Sequence, residues 1–204
     1  MRYLIFKSLI DRFVALVALL FFLPLFLLVA LLVRWRLGSP VLFRQERPGY
    51  LGKPFWLLKF RTMTNARDSS GALLPDAQRL TPLGRWLRAT SIDEFPALFN
   101  ILRGEMSFIG PRPLLMQYLP LYSLQQARRH DVIPGFSGWA QINGRNAISW
   151  DAKFSLDLWY VDNQRVGLDL WIFLLTILKV IRREGISAAG EATTAPFTGN
   201  ASLE

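Results

Sequence analysis

Residues Phe13–Val33 read FVALVALLFFLPLFLLVALLV, a run of 21 residues without a charge. About 20 apolar residues is what a membrane-spanning helix needs. No small-residue cleavage site follows, and the apolar core is longer than that of a signal peptide, so the segment is expected to stay in the protein. A straight transmembrane helix is the plain reading. Pro24 speaks against it. It sits mid-run without an N–H, so it kinks the helix and frees the carbonyl of Leu20. The flanks speak against it too. Arg2, Lys7 and Arg12 precede the run and Arg34 and Arg36 follow it, so positive charge marks neither side as the inner one. A bent helix that enters and leaves by one face keeps both flanks on that face. The expectation is a re-entrant helix hairpin with its bend at Pro24.

The rest of the chain fits a membrane surface. Its 204 residues carry a net charge of +9, are 51% hydrophobic and include no cysteine. That length suits one domain, and the missing cysteines exclude a disulfide framework and a thiolate metal site. A basic and apolar composition points to a bilayer rather than to a nucleic acid. Between Arg34 and Arg67 stand eight basic residues and one acid, Glu46. This block follows the apolar run, where it would meet anionic headgroups.

Beyond it, 40–63 read as a β-hairpin, with VLFRQ and FWLLKFRT separated by the turn formers RPGYLGKP. Lys59 and Arg61, two apart, share one face of the second strand. Residues 65–76 read as an exposed loop. Thr81-Pro82 is a hydroxyl N-cap followed by proline at the first helical position, and predicts a helix to Arg88. Residues 114–129 are helical in pattern but interrupted by Pro120, with apolar and aromatic residues that suit an interface or a core. His130, the single histidine, reads as a satisfied surface residue. Residues 134–146, PGFSGWAQINGRN, are a Gly-rich loop carrying Arg145, with neither a P-loop nor a dinucleotide fingerprint. Ser149 caps a helix to Asp162. Asp157 falls on its apolar side, where a carboxylate needs a partner or a task; Lys153, one turn back, is the nearest candidate. A last apolar helix over 167–183 is too short to span. The tail beyond Gly185 is small and polar, and is expected to be weakly ordered.

One stretch carries chemistry. Ser91–Pro113, SIDEFPALFNILRGEMSFIGPRP, sets two carboxylates, Asp93 and Glu94, before Pro96, which is tolerated only in a first helical turn. A helix dipole at that end favours their ionised forms. Acids are common caps there and need do nothing more. Arg112 between Pro111 and Pro113 adds a pre-oriented guanidinium, whose fork suits phosphate oxygens.

These residues resemble the small monotopic phosphoglycosyl transferases, the bacterial sugar transferase family. The resemblance covers nearly the whole chain, through KFRTM, RLTPLGRWLR, SIDEFPALFNILRGEMSFIGPRP, PGFSGWAQINGR and EGISAAGEATTAPF. The tail and RHDVIPG are most similar to enzymes that transfer N,N′-diacetylbacillosamine 1-phosphate to undecaprenyl phosphate, at the start of protein glycosylation. The implied fold is mainly α with a small β-hairpin. It is a monotopic membrane protein with an N-terminal re-entrant helix hairpin and interfacial amphipathic helices. The implied division is a membrane helix over 1–36, a catalytic domain over 37–185 on the cytoplasmic face of a bacterial inner membrane, and a tail over 186–204. The implied reaction makes Asp93 the nucleophile on the β-phosphate of a UDP-sugar, releasing UMP, with undecaprenyl phosphate as acceptor. Glu94 assists, and Mg2+ near Asp93 neutralises the diphosphate. Lys59, Arg112 and Asp157 match family positions tied to activity; with Arg88 and Arg145 they form the expected phosphate- and substrate-binding set.

The family usually has Ser-Pro at the hairpin bend, and here it is Leu23-Pro24. No Ser or Thr in 13–33 can serve the freed carbonyl. Two other readings stand beside the first: a galactose or glucose phosphate transferase of exopolysaccharide synthesis, and a basic membrane adaptor without catalysis.

Overall fold

The computed structural model describes residues 2–144, 148–182 and 196–199. The apolar run forms α1 (Arg2–Phe21) and α2 (Leu23–Leu37), bent by 67° at Phe22. Phe22 N–H donates to Ala18 and Phe26 N–H donates to Phe22; between them the ladder is interrupted, because Pro24 brings no donor. Neither helix alone is long and apolar enough to cross a membrane, and only the bent pair reaches that length and composition. Packing holds the bend. Val29 and Val33 of α2 are buried with Phe60 and Leu87, and the Phe26 ring meets Phe60 at 4.9 Å and Phe99 at 5.6 Å.

α1 turns two of its charged residues, Lys7 and Asp11, inward. Lys7, Asp11 and Ala15 are buried, while Ile5, Phe6, Leu9, Phe13, Leu16 and Leu20 are exposed. Lys7 Nζ lies 2.6 Å from Asp169 Oδ2, and Ser107 Oγ donates to Asp11 Oδ2 at 2.6 Å. Asp169 also accepts from the Tyr3 and Tyr160 hydroxyls, at 2.7 Å each. The buried charges are therefore paired and hydrogen-bonded, the condition under which burial is tolerated.

The expected hairpin is present, with β1 (Leu42–Pro48) antiparallel to β2 (Pro54–Phe60). α3 (Asp76–Arg79) precedes α4 (Pro82–Ala89), which starts where the sequence predicts. The Thr81 hydroxyl accepts from Gly84 N–H at 3.0 Å. α5 (Ala97–Arg103) carries Asn100, which is fully buried against β2. Its Oδ1 accepts from Leu58 N–H at 3.0 Å and its Nδ2 donates to the Trp56 carbonyl at 2.7 Å. One side chain thus stands in for a third strand on that edge.

β3 (Ser107–Ile109) pairs in parallel with β4 (Gly135–Ser137), a ladder inside a segment expected to be loop. Gly135 permits it, since a Cβ there would stand 2.1 Å from Gly110 N. α6 (Leu124–Ala127), α7 (Trp139–Asn143), α8 (Trp150–Asn163) and α9 (Val166–Ile181) complete the fold. Ser149 caps α8 as expected. α9 buries Leu168 and Ile172 and exposes Leu170, Trp171, Leu174 and Ile177. The fold is mainly helical with small sheets.

Three further expectations change, besides the loop over 134–146 that holds β4 and α7. Residues 114–129 are not one helix but a 3-10 turn (Met116–Leu121), then α6. Ser123 and Gln126 form a capping box that restarts the chain after Pro120. His130 is buried rather than on the surface; its ring lies 5.7 Å from Tyr122, and Nε2 has no hydrogen-bond partner among the described residues. Burial, then the Arg129 charge, push its pKa down to about 4. The tail is not free where it is described: Phe197 is buried beside Tyr118 and Phe154, and its N–H donates to the Tyr118 hydroxyl at 3.2 Å.

Candidate active site

A cleft of about 1490 Å³ is lined by Lys59, Arg88, Asp93, Glu94, Arg112 and Asp157. Five segments supply these six side chains. Lys59 comes from β2 and Arg88 from the end of α4, where its Nε donates to Thr62 Oγ1 at 3.2 Å. Asp93 and Glu94 sit on a 3-10 turn, Ile92–Glu94, entered through Ser91 at φ 57°. A serine in the left-handed region costs about 1 kcal/mol or more, so the surrounding packing imposes this turn. α5 begins only at Ala97. The acids therefore precede that helix by a turn instead of occupying its first one.

The two neighbours differ electrostatically. Glu94 Oε1 accepts from Lys59 Nζ at 2.5 Å and from Arg112 Nη2 at 2.6 Å. Burial alone would raise its pKa, but Arg112 and Lys59 outweigh burial and hold the carboxyl well below the usual range. Asp93 is 8% exposed. Burial, then the Glu94 charge, push it up to about 6, against Lys59, Arg88 and Arg112. The helix dipole was expected to favour ionisation; burial and the adjacent carboxylate dominate instead. Asp93 lines the cleft and has no ion pair among the described residues.

Asp157 is paired, but not with Lys153. Arg129 donates to its Oδ2 through Nε at 3.2 Å and Nη2 at 2.7 Å, while Lys153 lies over the Trp150 ring at 4.6 Å. Arg129 Nη2 also donates to the Arg112 carbonyl at 2.8 Å, and Arg47 Nη1 to the Pro113 carbonyl at 3.1 Å. Sequence reading did not single out Arg129 or Arg47. The signal for Arg129 was present: an aspartate on the apolar face of α8 requires a cation, and one outside the helix can meet it. Arg145 lies outside the described residues. Pro24 lies at the helix bend rather than at the cleft.

Among the described residues, no three His, Asp or Glu side chains gather to hold a metal. A dedicated all-protein cage is therefore not present there. The arrangement fits the other mode of Mg2+ binding, in which one or two carboxylates act together with substrate phosphates, and Asp93 is the available carboxylate.

A family model described as bacterial sugar transferase matches residues 2–183. The chain is 56% identical over 197 residues to an uncharacterized sugar transferase, EpsL, of Bacillus subtilis (strain 168), covering 97% of this chain and 98% of the relative. It is 38% identical over 196 residues to the exopolysaccharide production protein ExoY of Rhizobium meliloti (strain 1021), covering 88% and 87%. It is 36% identical over 187 residues to a UDP-glucose:undecaprenyl-phosphate glucose-1-phosphate transferase of Xanthomonas campestris pv. campestris, covering 86% of this chain and 38% of that protein.

Proposed function

Since the chain belongs to the bacterial sugar transferase family, we propose that it moves a sugar 1-phosphate from a UDP-sugar to undecaprenyl phosphate through Asp93. The observation that carries this is the split between the two acids. Glu94 is held by Lys59 and Arg112, which leaves Asp93 as the ionisable oxygen nucleophile facing the cleft. An Asp93 oxygen attacks the phosphorus that carries the sugar. The P–O bond to UMP breaks, UMP leaves with the electron pair, and an aspartyl phosphosugar remains. An oxygen of the lipid phosphate then attacks the same phosphorus and frees the carboxylate. Lys59, Arg88 and Arg112 supply positive charge for the crowded phosphate oxygens, which is most of what phosphoryl transfer asks of a protein. Arg145 belongs to the same set by resemblance. Asp93 is the residue that would hold Mg2+, whose chemistry there is to neutralise the diphosphate.

The membrane side of the proposal is a monotopic protein at a bacterial inner membrane, with the cleft on the cytoplasmic face. The exposed apolar faces of α1 and α9, with the bent helix pair, support it. A polyprenol buried in lipid and a soluble nucleotide sugar can meet only at such a surface.

N,N′-diacetylbacillosamine is the first sugar proposed, on the resemblance of the tail and RHDVIPG. Glucose is the second reading, favoured by the name of the Xanthomonas relative. Wild-type protein with Mg2+ and a panel of UDP-sugars, but no lipid acceptor, should release UMP in an amount stoichiometric with enzyme. Asp93→Asn should lose this burst by about 10³-fold or more and still bind membranes. Turnover unchanged in that variant would sink the covalent route; the sugar giving the burst decides between the two readings.

A further inference from the structure

Pro111 and Pro113 bring no N–H to anchor such a strand, so only Arg112 keeps a backbone donor among the three. All three carbonyls are held, and each receives a donor from a different segment. Gly135 N–H donates to the Pro111 carbonyl at 2.9 Å, Arg129 Nη2 to the Arg112 carbonyl at 2.8 Å, and Arg47 Nη1 to the Pro113 carbonyl at 3.1 Å. The Arg112 side chain is itself 46% exposed. Packing therefore does not fix it, and its direction follows from the backbone beneath it and from Glu94 above. The central anchor is the unusual one. Arg129 is 3% exposed and Asp157 4%, a buried pair whose desolvation cost is rarely repaid in stability alone. Its charge is spent on Asp157, so it adds little net positive charge for a phosphate.

We infer that Arg129, with Asp157 as its counter-charge, is the positioning residue of this site: it grips the Arg112 carbonyl so that the guanidinium stands at Glu94. This rests on the function proposed above. It gives Asp157 a supporting role through Arg129 rather than a substrate contact. Tyr122 and Phe154, each 5.9 Å from the guanidinium, complete the socket. One fork spans the carboxylate of α8 and the loop carbonyl, a geometry that a lysine cannot reproduce.

The test replaces the pair by apolar residues of similar volume, Arg129→Met with Asp157→Leu, an exchange that commonly preserves stability. The variant is expected to fold, to release UMP with kcat/KM about 10- to 100-fold lower, and to change kcat more than KM. Adding Arg112→Ala to it should then cost less than about twofold more, because both changes remove the same interaction. Full additivity with Arg112→Ala, or an unchanged rate, overturns the inference. Arg129→Lys gives the second arm: it keeps a charge opposite Asp157 and loses the fork, so the rate should fall with thermal stability retained. Wild-type rate in that variant also overturns the inference. A readout without turnover keeps the two claims separate. In ¹⁵N relaxation of arginine side chains, Arg112 Nε should be ordered in the wild type and mobile in Arg129→Lys. If the wild type releases no UMP from any UDP-sugar, the proposed function fails, and this signal still decides the positioning. Equal Arg112 order in both proteins overturns it.

Discussion

Asp93 and Glu94 are adjacent in sequence and divided by what surrounds them. Glu94 faces two cations within 2.6 Å; Asp93 faces burial and the charge of Glu94. The division of labour was open in the sequence, because two neighbouring acids carry no label. His130 shows the same dependence on surroundings. Its pKa is pushed down to about 4, from an ordinary 6.5. The unfolded chain therefore binds the proton first as pH falls. The native state gains from the neutral ring above pH 6.5 and loses that gain as pH falls toward 4. The loss should be about 3 kcal/mol at about 1.4 kcal/mol per unit. Asp93, raised to about 6, titrates in the same window with the opposite sign, so the measurement is the stability difference between wild type and His130→Phe. Urea unfolding of both detergent-solubilised proteins should show that difference changing between pH 7 and 4; a pH-independent difference would mean that the ring is not protonated on unfolding.

At the scale of elements, local signals worked where they were local. Thr81 and Ser149 start α4 and α8 with the side-chain caps their sequences announce. Leu23-Pro24 bends the apolar run without a hydroxyl, because Val29, Val33 and Phe26 bury the second helix against Phe60 and Leu87. The hairpin depends on a residue 42 and 44 positions from the groups it bonds. Asn100→Leu should leave the Leu58 N–H and the Trp56 carbonyl unpaired in a dry site, at a cost of about 3 kcal/mol. Thermal unfolding of the purified variant checks it; a shift under about 2 °C would show that the edge finds other partners.

At the scale of the molecule, α1 is tied to the rest by charge. Lys7, Asp11 and Asp169, with Tyr3, Ser107 and Tyr160, link the first helix to β3, α8 and α9. Lys7→Met leaves two carboxylates facing each other in a buried site. The expected loss is about 3–5 kcal/mol, or roughly 6–20 °C in Tm for a chain of this size. Adding Asp169→Asn should recover part of it, and no recovery would argue against the pairing. The same link fixes which face of α1 is apolar and exposed.

By itself the sequence determined the β-hairpin, the capped helices, a bend beside Pro24, the carboxylate pair beside Pro-Arg-Pro and the family. Each is written in residues within a few positions of one another, where propensity, missing donors and caps act directly. Tertiary structure alone decided that Arg129 rather than Lys153 meets Asp157, that Asn100 completes β2, that His130 is buried, and that Lys7 and Asp11 turn inward on an apolar helix. It also decided that Glu94, not Asp93, holds the two cations. These are choices among charges and donors far apart in the chain. Burial sets their energies, and burial exists only once the elements have packed.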